Sequence, residues 1–169
     1  LEGKSLNRLK KLLKTNKLKA GLSRCFYNLK DIRSYFRQSV KSLELGIREK
    51  SKQVIFGYED YAINHLLNIC ASHEDLKEFC HPSLFALIDY DNENNTSYTR
   101  TLYTYILHNG NQIETANALK IHRGTLIYRI EKIENIMSLK LDNFNIMHRL
   151  YLSFIILKSV DKSFLPFRL

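Results

Sequence analysis

Apolar residues recur every three or four positions through most of the chain, which predicts a mostly helical protein. Lys4 to Leu18 sets Leu6, Leu9, Leu12 and Leu13 among lysines, the pattern of an amphipathic helix. A short extended segment around Ala20 to Ser23 follows, with Gly21 as its breaker. Asn28 then caps a second helix, with Asp31 near its positive end and Leu29, Ile32, Tyr35, Phe36, Val40 and Leu43 as its predicted inner face. Gln53 to Tyr58 has the β-branched and aromatic content of a short strand.

From Glu59 onward the period is helical. Tyr61 to Ala71 is one predicted helix, Ser72 to Asp75 carries the cap of the next, and Pro82 fits the first turn of a third running to about Tyr90. The most polar stretch, Asp91 to Ser97, is the candidate linker. Helices at Tyr98 to His108 and Asn143 to Ser159 bracket the remainder. The strongly apolar run Leu150 to Leu157 is far below the roughly 18 residues that span a bilayer, so it reads as a buried core helix and no membrane partner is expected. The fold class expected is α+β, mostly α, with a C-terminal helical bundle.

Between the bracketing helices lie two short ones. Ile113, Ala116 and Leu119 share the predicted inner face of the first. Leu126, Ile130, Ile133 and Met137 recur at four, three and four residues, the inner face of the second. Leu119 to His122 leaves room for a tight turn whose Ile121 plugs the angle, and Ala116 is where the helices pass closest. Leu102, Tyr105, Ile106, Leu150 and Phe154 of the flanking helices supply the missing core. This is a helix-turn-helix over Asn111 to Ile133.

At about 100° per residue, Gly124, Tyr128 and Glu131 point away from the Leu126 face, with Arg123 and Ile127 on one flank and Thr125, Arg129 and Lys132 on the other. A helix N-terminus favours phosphate, Thr125 adds a hydroxyl, and His122 is the expected N-cap or phosphate contact. Arg123 can reach a guanine edge or a phosphate, and Gly124 lets the backbone approach the groove floor. Ile127 and Tyr128 offer apolar contact to thymine methyl groups, while Arg129 and Lys132 are placed for backbone phosphates. Glu131 faces outward too, where phosphate repels it unless it accepts from cytosine or pairs with a neighbouring base. A recognition helix at about 123–136, in the major groove of double-stranded DNA, is thus expected. The same spacing also fits an αα-hairpin in a protein-interaction or oligomerisation module that binds no DNA.

The string TLYTYILHNGNQIETANALKIHRGTLIYRIEKI resembles the C-terminal helix-turn-helix of the PucR/CdaR family of bacterial transcription regulators. The shared positions are Thr101, Leu102, Tyr105, Asn109, Asn111, Thr115, Ala116, Leu119, Ile121, His122, Arg123, Thr125, Leu126, Tyr128 and Arg129. It is also similar to the Fis-type helix-turn-helix in its turn. Gly124 departs from the pattern, where Asn is more usual. Gly21 to Gly46 is similar to the closing part of the family's degenerate GGDEF-like middle domain, and Phe56 to Leu67 and Leu84 to Asp91 fit its helical connector. The resemblance implies a middle-domain remnant at 1–58, a connector at 59–95 and the DNA-binding domain at 96–169. It implies a homodimer or higher homo-oligomer, and a sensory region upstream that binds any effector. Leu at position 1 and the lack of an export-signal pattern agree with a fragment of a longer protein.

Net charge is +9, but its distribution matters more. Residues 1–52 hold 15 Lys or Arg against four acids, a local +11, so the basic excess is not at the helix-turn-helix. A solvated face of two long helices explains it equally well. Three cysteines without an export signal suit reduced thiols in a cytoplasmic protein. Cys70, His73, Cys80 and His81 lack a second spaced pair of zinc ligands, and the acidic run from Asp89 has Asn94 and Arg100 where a calcium loop needs Gly and Glu. No glycine-rich phosphate loop or nucleophile setting is present, so neither cofactor nor metal nor enzyme activity is expected.

Overall fold

The leucine spacing at the start of the chain does form a helix, α1 (Lys4–Thr15), in a computed structural model that describes residues 3–160. The last nine residues of the expected 96–169 domain, and the first two of the 1–58 segment, lie outside the described residues. Leu13 is the buried residue of α1, whereas Leu12 is exposed. The chain divides into two compact units, Leu1–His73 and Glu74–Leu169.

In the first unit, β1 (Ala20–Leu22) leads through a 3₁₀ turn at Leu29–Asp31 into α2 (Ile32–Arg48), then β2 (Ile55–Gly57) and α3 (Tyr58–Cys70). The strands pair in parallel, with Ala20 opposite Ile55 and Leu22 opposite Gly57, and α2 is the crossover a parallel pair needs. Small residues bring α2 down onto the sheet. A Cβ at Gly21 would stand 1.9 Å from the Ser39 carbonyl oxygen, and one at Gly46 would stand 2.1 Å from the Phe56 ring. Phe56, with no exposed surface, packs there with Leu45 and Tyr61.

This corrects the inner face expected for α2. Tyr35 and Leu43 are half-buried, but Leu29, Ile32, Phe36 and Val40 are exposed, Phe36 by 66%. The helix buries Ser42, Leu45 and Gly46 instead. Close approach of two backbones requires small side chains, and hydrophobic periodicity does not register Ser and Gly as core.

In the second unit, Asp75 caps a 3₁₀ turn at Leu76–Phe79 by accepting from Lys77 N–H, so the helix expected after Ser72 is a single tight turn. Five helices follow: α4 (Pro82–Asn94), α5 (Tyr98–Leu107), α6 (Gln112–Leu119), α7 (Arg123–Met137) and α8 (Phe144–Val160). Pro82 is at the first turn of α4, where its missing N–H costs nothing. Leu84, Leu87, Leu102, Leu126, Ile133, Leu150, Phe154 and Leu157 form the fully buried core, to which α4, α5, α7 and α8 all contribute. Cys80 is buried against α8, with its thiol 3.8 Å from the Ser153 carbonyl oxygen, and burial pushes that thiol up to about 11.

The polar stretch at 91–97 is not a linker. Asp91 to Asn94 is the last turn of α4, closed by Asn95 in the left-handed region. Asp91 is buried, and its carboxylate accepts from Tyr98 N–H (2.8 Å), Thr99 N–H (2.7 Å) and the Thr96 hydroxyl. It therefore caps α5 from the preceding helix. The described protein is mostly α with one two-stranded sheet, and among the described residues no helix is long and apolar enough to cross a membrane.

Candidate nucleic-acid interface

Local chemistry sets the angle between α6 and α7. Asn109 and Gly110 turn the chain out of α5 at φ of 51° and 79°. Asn111 Oδ1 then accepts from Ile113 N–H (3.0 Å) and Glu114 N–H (3.2 Å), starting α6. Lys120 ends α6 in the left-handed region at φ 55°, and Ile121 N–H returns to the Ala116 carbonyl at 3.0 Å. His122 starts α7, its Nδ1 accepting from Gly124 N–H at 3.2 Å. One left-handed residue at the end of α6 and the His122 cap at the start of α7 thus confine the turn to three residues.

Ala116, Leu126, Ile133 and Met137 are buried between the helices, with Ile130 half-buried, as their spacing predicts. Ile113 is not: it is 61% exposed, and Thr115 takes the inner position, its hydroxyl donating to the Asn111 carbonyl at 2.6 Å. A threonine that satisfies its own hydroxyl on the preceding turn packs as a small apolar residue.

The outer face of α7 gathers most of the candidate residues. His122, Arg123, Gly124, Thr125, Ile127 and Tyr128 are all exposed, and Tyr128 is 60% so. Glu131 is exposed as well, but no acid precedes it in α7. The fold does not require glycine at 124, since an added Cβ would meet only His122 Nδ1, at 3.5 Å. Arg129 and Lys132 are placed on the far flank. Arg129 Nη1 donates to Thr101 Oγ1 of α5 at 3.2 Å, and the Lys132 ammonium lies 5.8 Å from the Tyr90 ring of α4.

Periodicity misses Gln112, which faces Arg123 across the turn. Gln112 Oε1 accepts from Arg123 Nη2 (3.1 Å) and Nε (3.3 Å). The pair bridges the first residues of two helices, a relation that no spacing within one helix expresses. At the other end of α7, Glu134 accepts from Lys140 Nζ (2.6 Å) and Leu141 N–H (2.9 Å). Burial works to raise this carboxyl, but these two donors outweigh it and hold it below the usual range. Among the described residues, no three His, Cys, Asp or Glu side chains gather as metal ligands do.

Residues 98–156 match the PucR C-terminal helix-turn-helix domain. The chain is similar to the purine catabolism regulatory protein of Bacillus subtilis (strain 168), at 31% identity over 133 residues, which cover 79% of this chain and 25% of that protein. It is similar to the proline-responsive transcriptional activator PutR of the same organism at 29% identity over 112 residues, 66% of this chain and 27% of PutR. The carbohydrate diacid regulator of Escherichia coli (strain K12) is 31% identical over 121 residues, 72% of this chain and 30% of that regulator. The chain thus spans between 25% and 30% of the length of these curated relatives. No solved structure matches it.

Proposed function

Residues 98–156 belong to the PucR C-terminal helix-turn-helix domain, and from that premise we propose that this chain is the DNA-binding part of a sequence-specific transcription regulator, with α7 in the major groove. The observation that carries the reading is the outer face of α7. It begins at a capped N-terminus, presents Arg123, Gly124, Thr125, Ile127 and Tyr128 to solvent, and has no acid before Glu131.

In this reading Arg123 takes a guanine edge, and Ile127 and Tyr128 lie on thymine methyl groups. Thr125 and the His122-capped helix end take a phosphate, and Gly124 admits the backbone to the groove floor. Arg129 and Lys132 act as flank cations, drawing the phosphate backbone to the edge formed with α4 and α5. One short helix reads few base pairs, so a homodimer or higher oligomer in the cytoplasm reads the operator. Residues 1–58 are the closing part of a GGDEF-like middle domain in the same proposal, supported by the β1–α2–β2 order, and the effector binds elsewhere in the protein.

Selection of bound duplexes from a random DNA pool, at low and moderate salt, tests the reading. The expected result is an enriched motif that Arg123→Ala and Tyr128→Ala lose. No enrichment, together with binding insensitive to salt, would instead assign the outer face of α7 to a protein partner.

A further inference from the structure

Arg123 carries the specificity in the reading above, yet a free arginine side chain is a poor reader. It rotates about several bonds and finds phosphate as readily as a base. The structure restrains it. One oxygen of Gln112 accepts from both Nε and Nη2 of Arg123, at 3.3 and 3.1 Å, and so takes up the side edge of the guanidinium. Of the two ends of an amide only the oxygen accepts, so the Gln112 amide nitrogen is the end turned away from Arg123, and it carries two N–H donors. The other edge of the fork, formed by Nη1 and the second N–H of Nη2, is directed away from Gln112. That edge has the two parallel donors that match guanine O6 and N7.

Gln112 is well placed to hold this geometry. It is half-buried, and it is the first residue of α6, next to the Asn111 cap. Its backbone is therefore fixed by the same hydrogen bonds that start the helix. Arg123 is the first residue of α7, directly after the His122 cap. Both partners thus stand on capped helix ends with the three-residue turn between them.

We propose that Gln112 is a specificity-determining positioning residue: it orients Arg123 so that the end-on edge of the guanidinium reads one guanine, while its own amide nitrogen donates to an adjacent phosphate. The inference rests on the DNA-binding reading and deepens it. Gln112 touches the backbone and Arg123 touches the base, so the contribution of Gln112 to base choice passes through Arg123.

The test measures binding of the full chain to the selected duplex and to its single-base variants, at the base pair where Arg123→Ala loses preference. The parent chain should prefer guanine there by about 5- to 150-fold, the range of a good bidentate contact. Gln112→Ala should cut that preference to about threefold or less, leave preferences elsewhere in the motif intact, remove no further preference in an Arg123→Ala background, and weaken binding to every duplex through the lost phosphate contact. Gln112→Glu should keep the preference, because a carboxylate also holds the guanidinium, while weakening binding to every duplex through repulsion by phosphate. Thermal unfolding of each variant separates these effects from loss of fold. Undiminished guanine preference in Gln112→Ala overturns the inference alone. Failure of the parent chain to enrich any motif, together with binding insensitive to salt, overturns the DNA-binding reading and the inference with it.

Discussion

At position 124 the fold tolerates a side chain that the proposed groove contact does not. An added Cβ there meets nothing closer than His122 Nδ1 at 3.5 Å, so Gly124→Ala should leave unfolding free energy within about 0.5 kcal/mol of the parent. If the α7 backbone lies close to the groove floor, the same methyl group should weaken binding to the selected duplex at least about tenfold, roughly 1.4 kcal/mol. Unchanged affinity in a fluorescence anisotropy titration would remove Gly124 from the interface. Glu134 makes a different kind of prediction. Its folded carboxyl is held below its unfolded value, so its contribution is fully present above the unfolded pKa and fades as pH falls through the folded one. Glu134→Gln should therefore lower stability by about 1 kcal/mol near pH 7, with the gap to the parent closing below about pH 4. Urea denaturation across that range checks it, and a gap independent of pH would mean that the charge on Glu134 does not carry the effect.

Among the elements, legibility follows the size of the side chains that pack. The inner face of α7 is readable because Leu126, Ile133 and Met137 are large, apolar and buried. Periodicity misreads the inner face of α2 because its contact with the sheet runs through Gly46, Ser42 and the facing Gly21, whose small volume is the reason the contact exists. The polar run at 91–97 misleads for a related reason: Asp91, Thr96 and Asn95 look like loop residues, yet each makes a specific turn or cap. The Gln112–Arg123 pair has no signature, because it joins two elements across a turn. The α2 correction is testable by contrast. Gly46→Ala should cost about 3 kcal/mol or more, since a methyl group would fall 2.1 Å from the Phe56 ring. Phe36→Ser, at a position 66% exposed, should cost about 0.5 kcal/mol or less. Were Phe36 a core residue, its substitution would cost about 3–5 kcal/mol.

Across the whole molecule, charge and the candidate recognition helix are segregated. The unit Leu1–His73 holds 15 bases and six acids, a net +9, whereas Glu74–Leu169 holds 11 of each and is formally neutral. Affinity and base choice should then be separable. Replacing exposed Lys10, Lys11 and Lys14 of α1 with Gln should leave the enriched motif unchanged. If those lysines meet phosphate, the slope of log affinity against log salt should fall by about one for each phosphate no longer neutralised. An unchanged slope would make α1 a solvated surface, whereas a changed motif would overturn the assignment of base choice to α7.

The carboxylate of Asp91 bears on how such a unit is inherited. The segment that matches the helix-turn-helix domain begins at Tyr98, but the residue that starts its first helix lies seven positions earlier, in α4. A gene fusion that copied only the recognisable pattern would deliver α5 without its cap, and Leu126 and Ile133 without the Leu84 and Leu87 that share their core. A segment that keeps this cap and this core therefore starts upstream of Leu84, and it is longer than the segment that carries the recognisable pattern.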